Sequence, residues 1–289
     1  MEQLTFTVTT EQAGRTVKSI MLGELSMSNT LLSSLKFRPN GILKNGSQAR
    51  VTDRVQPGDT LSFSIADRHE NTAAPMALNI PILWEDDSFL LLNKPAGVGV
   101  YGGNRPNLAG YFASRWGNAR EFHPVNRLDV GTTGLLAVAK DGYAHDRLRR
   151  LLHTDGFQRE YLAVAEGIVA PDTGVVALPI SRHPVNGTTR AIDPNGLPSR
   201  TEYEVLKTSE NRSLLRLRLH TGRTHQIRVH MAVLGHPLVG DRQYGASDLA
   251  LSHPALHSHH VRILHPLTGE IVDVTAPLPE DMAALMHSP

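Results

Sequence analysis

An α+β chain with a small leading unit and a larger second one is the fold class the sequence predicts, on three observations. Residues from about 12 to 65 place two helical stretches ahead of short strands. Residues 68–77 are polar and rich in small side chains. From Ile80 onward, strands alternate with a few helices and no internal repeat appears. A chain of 289 residues is long enough for one large domain and one small one, and the expected division is 1–75 and 76–289.

In the leading unit the patterning predicts a helix from Val17 to Leu25 and a second after Ser28. Short strands follow around Gly41–Gly46 and Val55–Leu61, with Asn45-Gly46 as a hairpin turn. Arg68 to Ala77 reads as a flexible linker. Two apolar runs, Ile80–Trp84 and Phe89–Leu92, flank the acidic turn Glu85–Ser88 and make a hairpin. The run Leu135–Ala139 is short enough for a buried strand. Gly131 and Gly134 let the chain reverse before it, which puts Asp129 on a loop braced by that strand.

Tyr143–Leu152 is helix-like, and Phe157–Gly167 is a strand whose alternation sends Arg159, Tyr161 and Ala163 to one face. Leu215–His220 points leucines one way and basic side chains the other until Thr221-Gly222 breaks it. Arg223–Leu234 then reads as a helix with Ile227, Met231 and Leu234 on a buried stripe and Gly235 as its stop. At that junction Arg223 can reach back over the sheet edge.

Hydrophobic residues make up 40% and charged residues 20%, which excludes a disordered or fibrous chain. No segment approaches the roughly 18 apolar residues of a membrane helix. The N-terminus lacks the basic and apolar regions of a secretory leader. Without cysteine there is neither a disulfide nor a thiolate metal site, so the expected compartment is the cytoplasm. Net charge is +1, but Asn211–Met231 holds Arg212, Arg216, Arg218, Arg223 and Arg228 with three histidines and no acid. That run predicts either a local positive field suited to phosphates or a solvated strand face and helix.

Asp129 sits between Arg127 and a glycine-bearing turn, where an acid can either close an Asx turn or serve as a held, functional carboxylate. His253, His257, His259 and His260 are dense enough to suggest zinc. A pair at i and i+4 shares a face only on a helix, however, and Val261–Leu264 looks like strand, so no metal is expected.

The segment Arg127-Leu128-Asp129, then Thr132-Thr133-Gly134-Leu135-Leu136 and Ala139-Lys140, resembles the catalytic motif of the RluA-type pseudouridine synthases. Thr133 stands where serine is usual, and Asn126, which cannot titrate near neutral pH, where histidine is more common. Arg159-Glu160-Tyr161-Leu162-Ala163 is similar to the family's Lys-x-Tyr-x-Ala strand, and Gly222 to Arg228 to its Gly-Arg-Thr-His-Gln-Ile-Arg motif. The Asn45-Gly46 turn ahead of Val55-Gln56-Pro57-Gly58-Asp59 resembles an S4-like RNA-binding domain.

The resemblance implies a small S4-like domain before a catalytic domain built on a long mixed, mainly antiparallel sheet. It implies an RNA pseudouridine synthase acting on structured RNA (23S ribosomal RNA or transfer RNA) as a monomer, away from membranes and without cofactor or metal. Uracil is detached, reoriented and rejoined through C5 to C1′. Asp129 is then the catalytic carboxylate, Tyr161 the active-site tyrosine and Arg223 the arginine paired with Asp129. Arg127 enters the space left by the flipped base. Asn126, Thr133, Arg216, Arg218 and Arg228 are expected at the RNA, and Leu128 and Ile227 in the pocket. Two rivals are a noncatalytic RNA-binding protein on the same fold and a histidine metallohydrolase.

Overall fold

The computed structural model describes residues 3–65, 67, 69–184 and 187–286. Met1 and Glu2, which head the segment read for a leader, and Arg68, where the expected linker begins, lie outside the described residues.

The leading unit contains β1 (Gln3–Thr7), α1 (Val17–Leu22), α2 (Asn29–Lys36), β2 (Ile42–Lys44), β3 (Ser47–Gln48) and β4 (Thr60–Ser64). Its sheet runs β1-β4-β2-β3, antiparallel throughout. Thr16 and Ser28 start the two helices by accepting the Ser19 and Leu31 N–H groups. Asn45 at φ 50° and Gly46 at φ 81° form the expected hairpin turn. Val55–Asp59 is a turn and not the expected strand, because the Asp59 carboxylate accepts from Gln56 N and Asn45 Nδ2; strand pairing starts at Thr60.

Val17, Ile20, Met21, Leu35, Ile42, Leu61 and Phe63 fill this unit's core. Tyr143 of the second unit completes it, with its ring edge-on to Phe63 at 5.1 Å and its hydroxyl donating to Leu25 O at 2.8 Å.

The second unit begins with β5 (Ile82–Glu85), β6 (Phe89–Lys94), α3 (Leu108–Trp116), β7 (His123–Pro124), β8 (Thr133–Ala139) and α4 (Gly142–Leu151). β9 (Phe157–Glu166), β10 (Thr173–Val176), β11 (Ile180–Arg182), β12 (Arg190–Ile192), β13 (Thr201–Thr208) and β14 (Arg212–Leu219) follow. α5 (Gln226–Val233), β15 (Leu256–Leu264), β16 (Ile271–Thr275) and α6 (Glu280–Ala284) complete it. The long sheet runs β10-β13-β14-β9-β15-β8-β6-β5, with β16 on β15 and β7 on β8. Only the β15–β8 pair is parallel, so the sheet is mixed and mainly antiparallel, as expected.

At that parallel pair Gly134 has φ 104°, and a Cβ there would stand 2.3 Å from Ser258 O. Glycine alone lets the strands close there, which sets the end of the Asp129 loop.

The expected linker is pinned rather than flexible. Asn71 donates its N–H to Asn118 O and its Nδ2 to Ala109 O, and Met76 N–H reaches Gly110 O. A Cβ on Gly110 would meet Ala74 O at 2.7 Å, so the segment lies against α3. Its polar composition reflects these bonds more than solvation. α5 begins at Gln226, three residues later than the pattern predicts, because His225 adopts φ 58°, which no helix interior tolerates.

Candidate active site

Asp129 lies on the loop between β7 and β8, and buried groups fix that loop from beneath. Asn126 Oδ1 accepts the Ala137 N–H at 2.9 Å, and Gly97 N–H donates to Val130 O at 2.9 Å. Lys94, fully buried, sends its ammonium to Pro95 O, Val98 O and Val130 O at 2.9, 2.8 and 3.2 Å. Burial lowers Lys94 to about 8 against the pull of Asp129. One lysine thus ties the loop of residues 95–98 to the residue after Asp129.

The loop faces a cavity of about 1430 Å³ lined by Asn126, Arg127, Leu128, Asp129, Arg159, Tyr161, Arg223, His225, Ile227 and Arg228, and also by Leu31 of α2 and by Ser28, which caps that helix. Strand alternation puts Tyr161 on this face of β9 beside Leu217 and Ser258. Burial raises the Tyr161 phenol, with Arg159 opposing, so it stays protonated at neutral pH. Leu128 and Ile227 are buried in the main core and line the cavity. Arg127 is exposed at its edge.

The arginine facing Asp129 is Arg228. Its Nη1 lies 3.4 Å from Asp129 Oδ2, whereas Nε and Nη2 grip Asp241 at 2.6 and 2.7 Å and Nη2 also reaches Gln243 Oε1 at 2.8 Å. Burial opposes the Arg228 charge, but the hydrogen bonds and charge of Asp241, with the charge of Asp129, outweigh it and raise the guanidinium. Its plane lies over the Tyr244 ring at 4.9 Å. Asp241, Gln243 and Tyr244 therefore orient Arg228 and leave one N–H edge for Asp129.

His225 also faces the carboxylate, with Nε2 3.7 Å from Asp129 Oδ2. Tyr244 Oη accepts the Arg190 N–H at 2.8 Å and lies 2.8 Å from His225 Nδ1. When the phenol donates to Nδ1, the neutral ring carries its proton on Nε2, toward Asp129. Burial holds His225 below the ordinary histidine range despite Asp129, and Arg228 adds to the effect.

The expected Arg223–Asp129 pair does not form. Arg223 precedes the left-handed residue His225 and donates from Nε to Pro198 O at 3.2 Å, so it lines the cavity without touching Asp129. Arg216 and Arg218 depart from expectation as well. Leu215 and Leu217 face the core, so both arginines lie on the opposite face of β14. There Arg216 pairs with Glu204 at 2.9 Å and Arg218 Nε with Glu160 at 2.7 Å. The run is free of acid along the chain, but β13 and β9 bring glutamates alongside it.

Thr133 is buried, bonding His257 Nδ1 at 2.8 Å and Leu256 O at 3.3 Å, which makes it a brace between β8 and β15 rather than a surface contact. The dense histidines diverge along strand β15: His257 to Thr133, His259 to Ala276 O, His260 to Asp273. Among the described residues, one other trio brings metal-type ligand atoms within 4.8 Å of one another: Asp67, Glu121 and His123. Its Asp67 is already engaged by His123 Nε2 at 2.7 Å and Glu121 N–H at 2.9 Å. Lys94, His225, Asp241 and Tyr244 had no role in the sequence reading. Lys94 in Asn93–Gly97, His225 in Gly222–Arg228 and Asp241 in Gly235–Asp241 lie in segments similar to the family's but carry no role from the chain alone, and nothing in spacing marks Tyr244.

The family model described as RNA pseudouridylate synthase matches residues 88–233. The uncharacterized RNA pseudouridine synthase YjbO of Bacillus subtilis is 36% identical over 272 residues, spanning 91% of this chain and 96% of that protein. The ribosomal large subunit pseudouridine synthase D of Escherichia coli is 35% identical over 309 residues, spanning 99% and 94%. The structure of human RNA Pseudouridylate Synthase Domain Containing 1 superposes with TM-score 0.59 at 29% identity, covering 69% of this chain and 83% of that one. With an arginine-held carboxylate beside a buried tyrosine in a cavity roomy enough for a nucleotide, the chain belongs to the RNA pseudouridine synthase family, isomerases that turn uridine in RNA into pseudouridine.

Proposed function

We propose that this protein isomerises specific uridines in ribosomal RNA, with Asp129 as the essential carboxylate. The observation that carries this reading is the fixed setting of Asp129, whose Oδ2 faces Arg228 Nη1 and His225 Nε2 while the rest of the carboxylate meets the cavity. Ribosomal RNA is favoured over transfer RNA by the similarity to the large-subunit enzyme of E. coli along almost the whole chain.

The uridine is extruded from its stack into the cavity, and Arg127 at the edge fills the gap it leaves. The C1′–N1 bond breaks, uracil turns, a C5–C1′ bond forms, and the proton lost from C5 is balanced by one gained at N1. Atoms and electrons balance with no cofactor. Asp129 acts at the sugar, held by Arg228 and His225, and Tyr161 stacks on the base and offers its phenol near C5. Residues 1–75, divided from 76–289, form an S4-like RNA-binding domain and its linker, with α2 lining the cavity. The enzyme acts as a monomer in the cytoplasm.

The test is to map pseudouridines in ribosomal and transfer RNA from cells with and without the gene. One or a few large-subunit sites should vanish and return on complementation. Loss confined to transfer RNA would overturn the substrate assignment.

A further inference from the structure

Arg159 is buried, and the reaction described above gives it no task. It lies two residues before Tyr161 on the same face of β9 and lines the same cavity. Among the described residues its side chain makes one hydrogen bond, from Nη2 to Leu152 O at 3.2 Å, its buried Nε has no partner, and no carboxylate pairs with it. A buried guanidinium without a counter-ion is costly, and such sites are ordinarily completed by an anion.

The surroundings are basic. A Cβ on Gly222 would stand 3.7 Å from Arg159 Nη1 and 3.8 Å from His153 Cε1, so these groups converge on an open glycine. Burial lowers His153, and the nearby charges of Arg159, Arg223 and Arg149 push it the same way.

We infer that Arg159, with His153 and Arg223 around the bare backbone of Gly222, forms a subsite for one phosphodiester of the RNA next to the target uridine. Two residues of strand place Arg159 about 6.6 Å from Tyr161, roughly the separation of a bound base from a flanking phosphate. The planar fork of Arg159 can hold two phosphate oxygens, and Gly222 leaves room for the sugar-phosphate chain to approach. The inference rests on the reading of this cavity as the uridine site.

The test uses the full chain and a short RNA carrying a mapped target, made with a single neutral methylphosphonate at each linkage in turn. One linkage near the uridine should cost wild type roughly tenfold to a hundredfold in affinity. Arg159→Met should lose a similar factor on native RNA and lose nothing more at that linkage. Gly222→Asp, which places a carboxylate against Arg159 at an exposed glycine, should behave alike and guards against misfolding of the first variant. Equal binding by both variants, or losses that add in full at every linkage, would overturn the subsite. Wild type failing to convert native RNA would instead overturn the uridine-isomerase reading.

Discussion

Arg228 gives Asp241 two hydrogen bonds, at 2.6 and 2.7 Å, and turns its remaining Nη1 to Asp129 at 3.4 Å. Asp129 is thus faced by an arginine that a second, buried acid has already oriented. Arg228→Lys keeps charge but loses the fork, so it should bind RNA near normally and turn over more slowly. Arg228→Met leaves Asp241 buried and unpaired, at a cost of about 3–5 kcal/mol. Urea unfolding and single-turnover rates check both. Arg223→Lys, by contrast, should change turnover little, since Arg223 does not contact Asp129.

Arg216→Met should leave turnover and the salt dependence of RNA binding close to wild type. Arg216 is paired with Glu204 on the face away from the cavity, and exposed pairs contribute only about 0–1 kcal/mol. A clear drop in salt slope, measured by binding titrations from low to moderate salt, would put RNA on that face.

His225 lies below the ordinary histidine value of 6.5 and Tyr161 above the ordinary 10.0, so neither ionises between them. The single-turnover rate should therefore show no acid limb above pH 6.5 from His225. The rate should fall at lower pH as a cationic ring draws Asp129 away from the sugar. His225→Gln, which keeps an N–H donor without a titration, should flatten that limb. An acid limb unchanged in the variant would assign it elsewhere.

Removal of residues 1–65 should leave a more stable catalytic unit than removal of 1–75. The shorter cut keeps Asn71, with its bonds to Asn118 and Ala109, on α3. Both cuts expose Tyr143, which fills the leading unit's core, and both should weaken RNA affinity more than the chemical step. Thermal unfolding of the two truncated proteins compares them directly.

The loop carrying Asp129, the turn at Asn45-Gly46 and the face shared by Arg159 and Tyr161 were legible because each depends on neighbours in the chain. The partner of Asp129 was not. Whether Arg223 or Arg228 reaches it depends on the left-handed turn at His225, and that turn is held by Tyr244, nineteen residues further on. The acid-free run misled for a similar reason, since Glu160, Glu202 and Glu204 reach Arg216, Arg218 and His220 only through strand pairing. Asn71 reads as linker residue in the chain but is an anchor in space.

Asp129→Asn under single-turnover conditions isolates the role of the carboxylate that Arg228 and His225 face. The variant keeps the size and hydrogen bonding of the side chain and removes its charge. Pseudouridine formation in bound RNA should fall by about a thousandfold or more while affinity stays within a few-fold of wild type. Conversion at a rate near wild type would exclude Asp129 as the essential carboxylate.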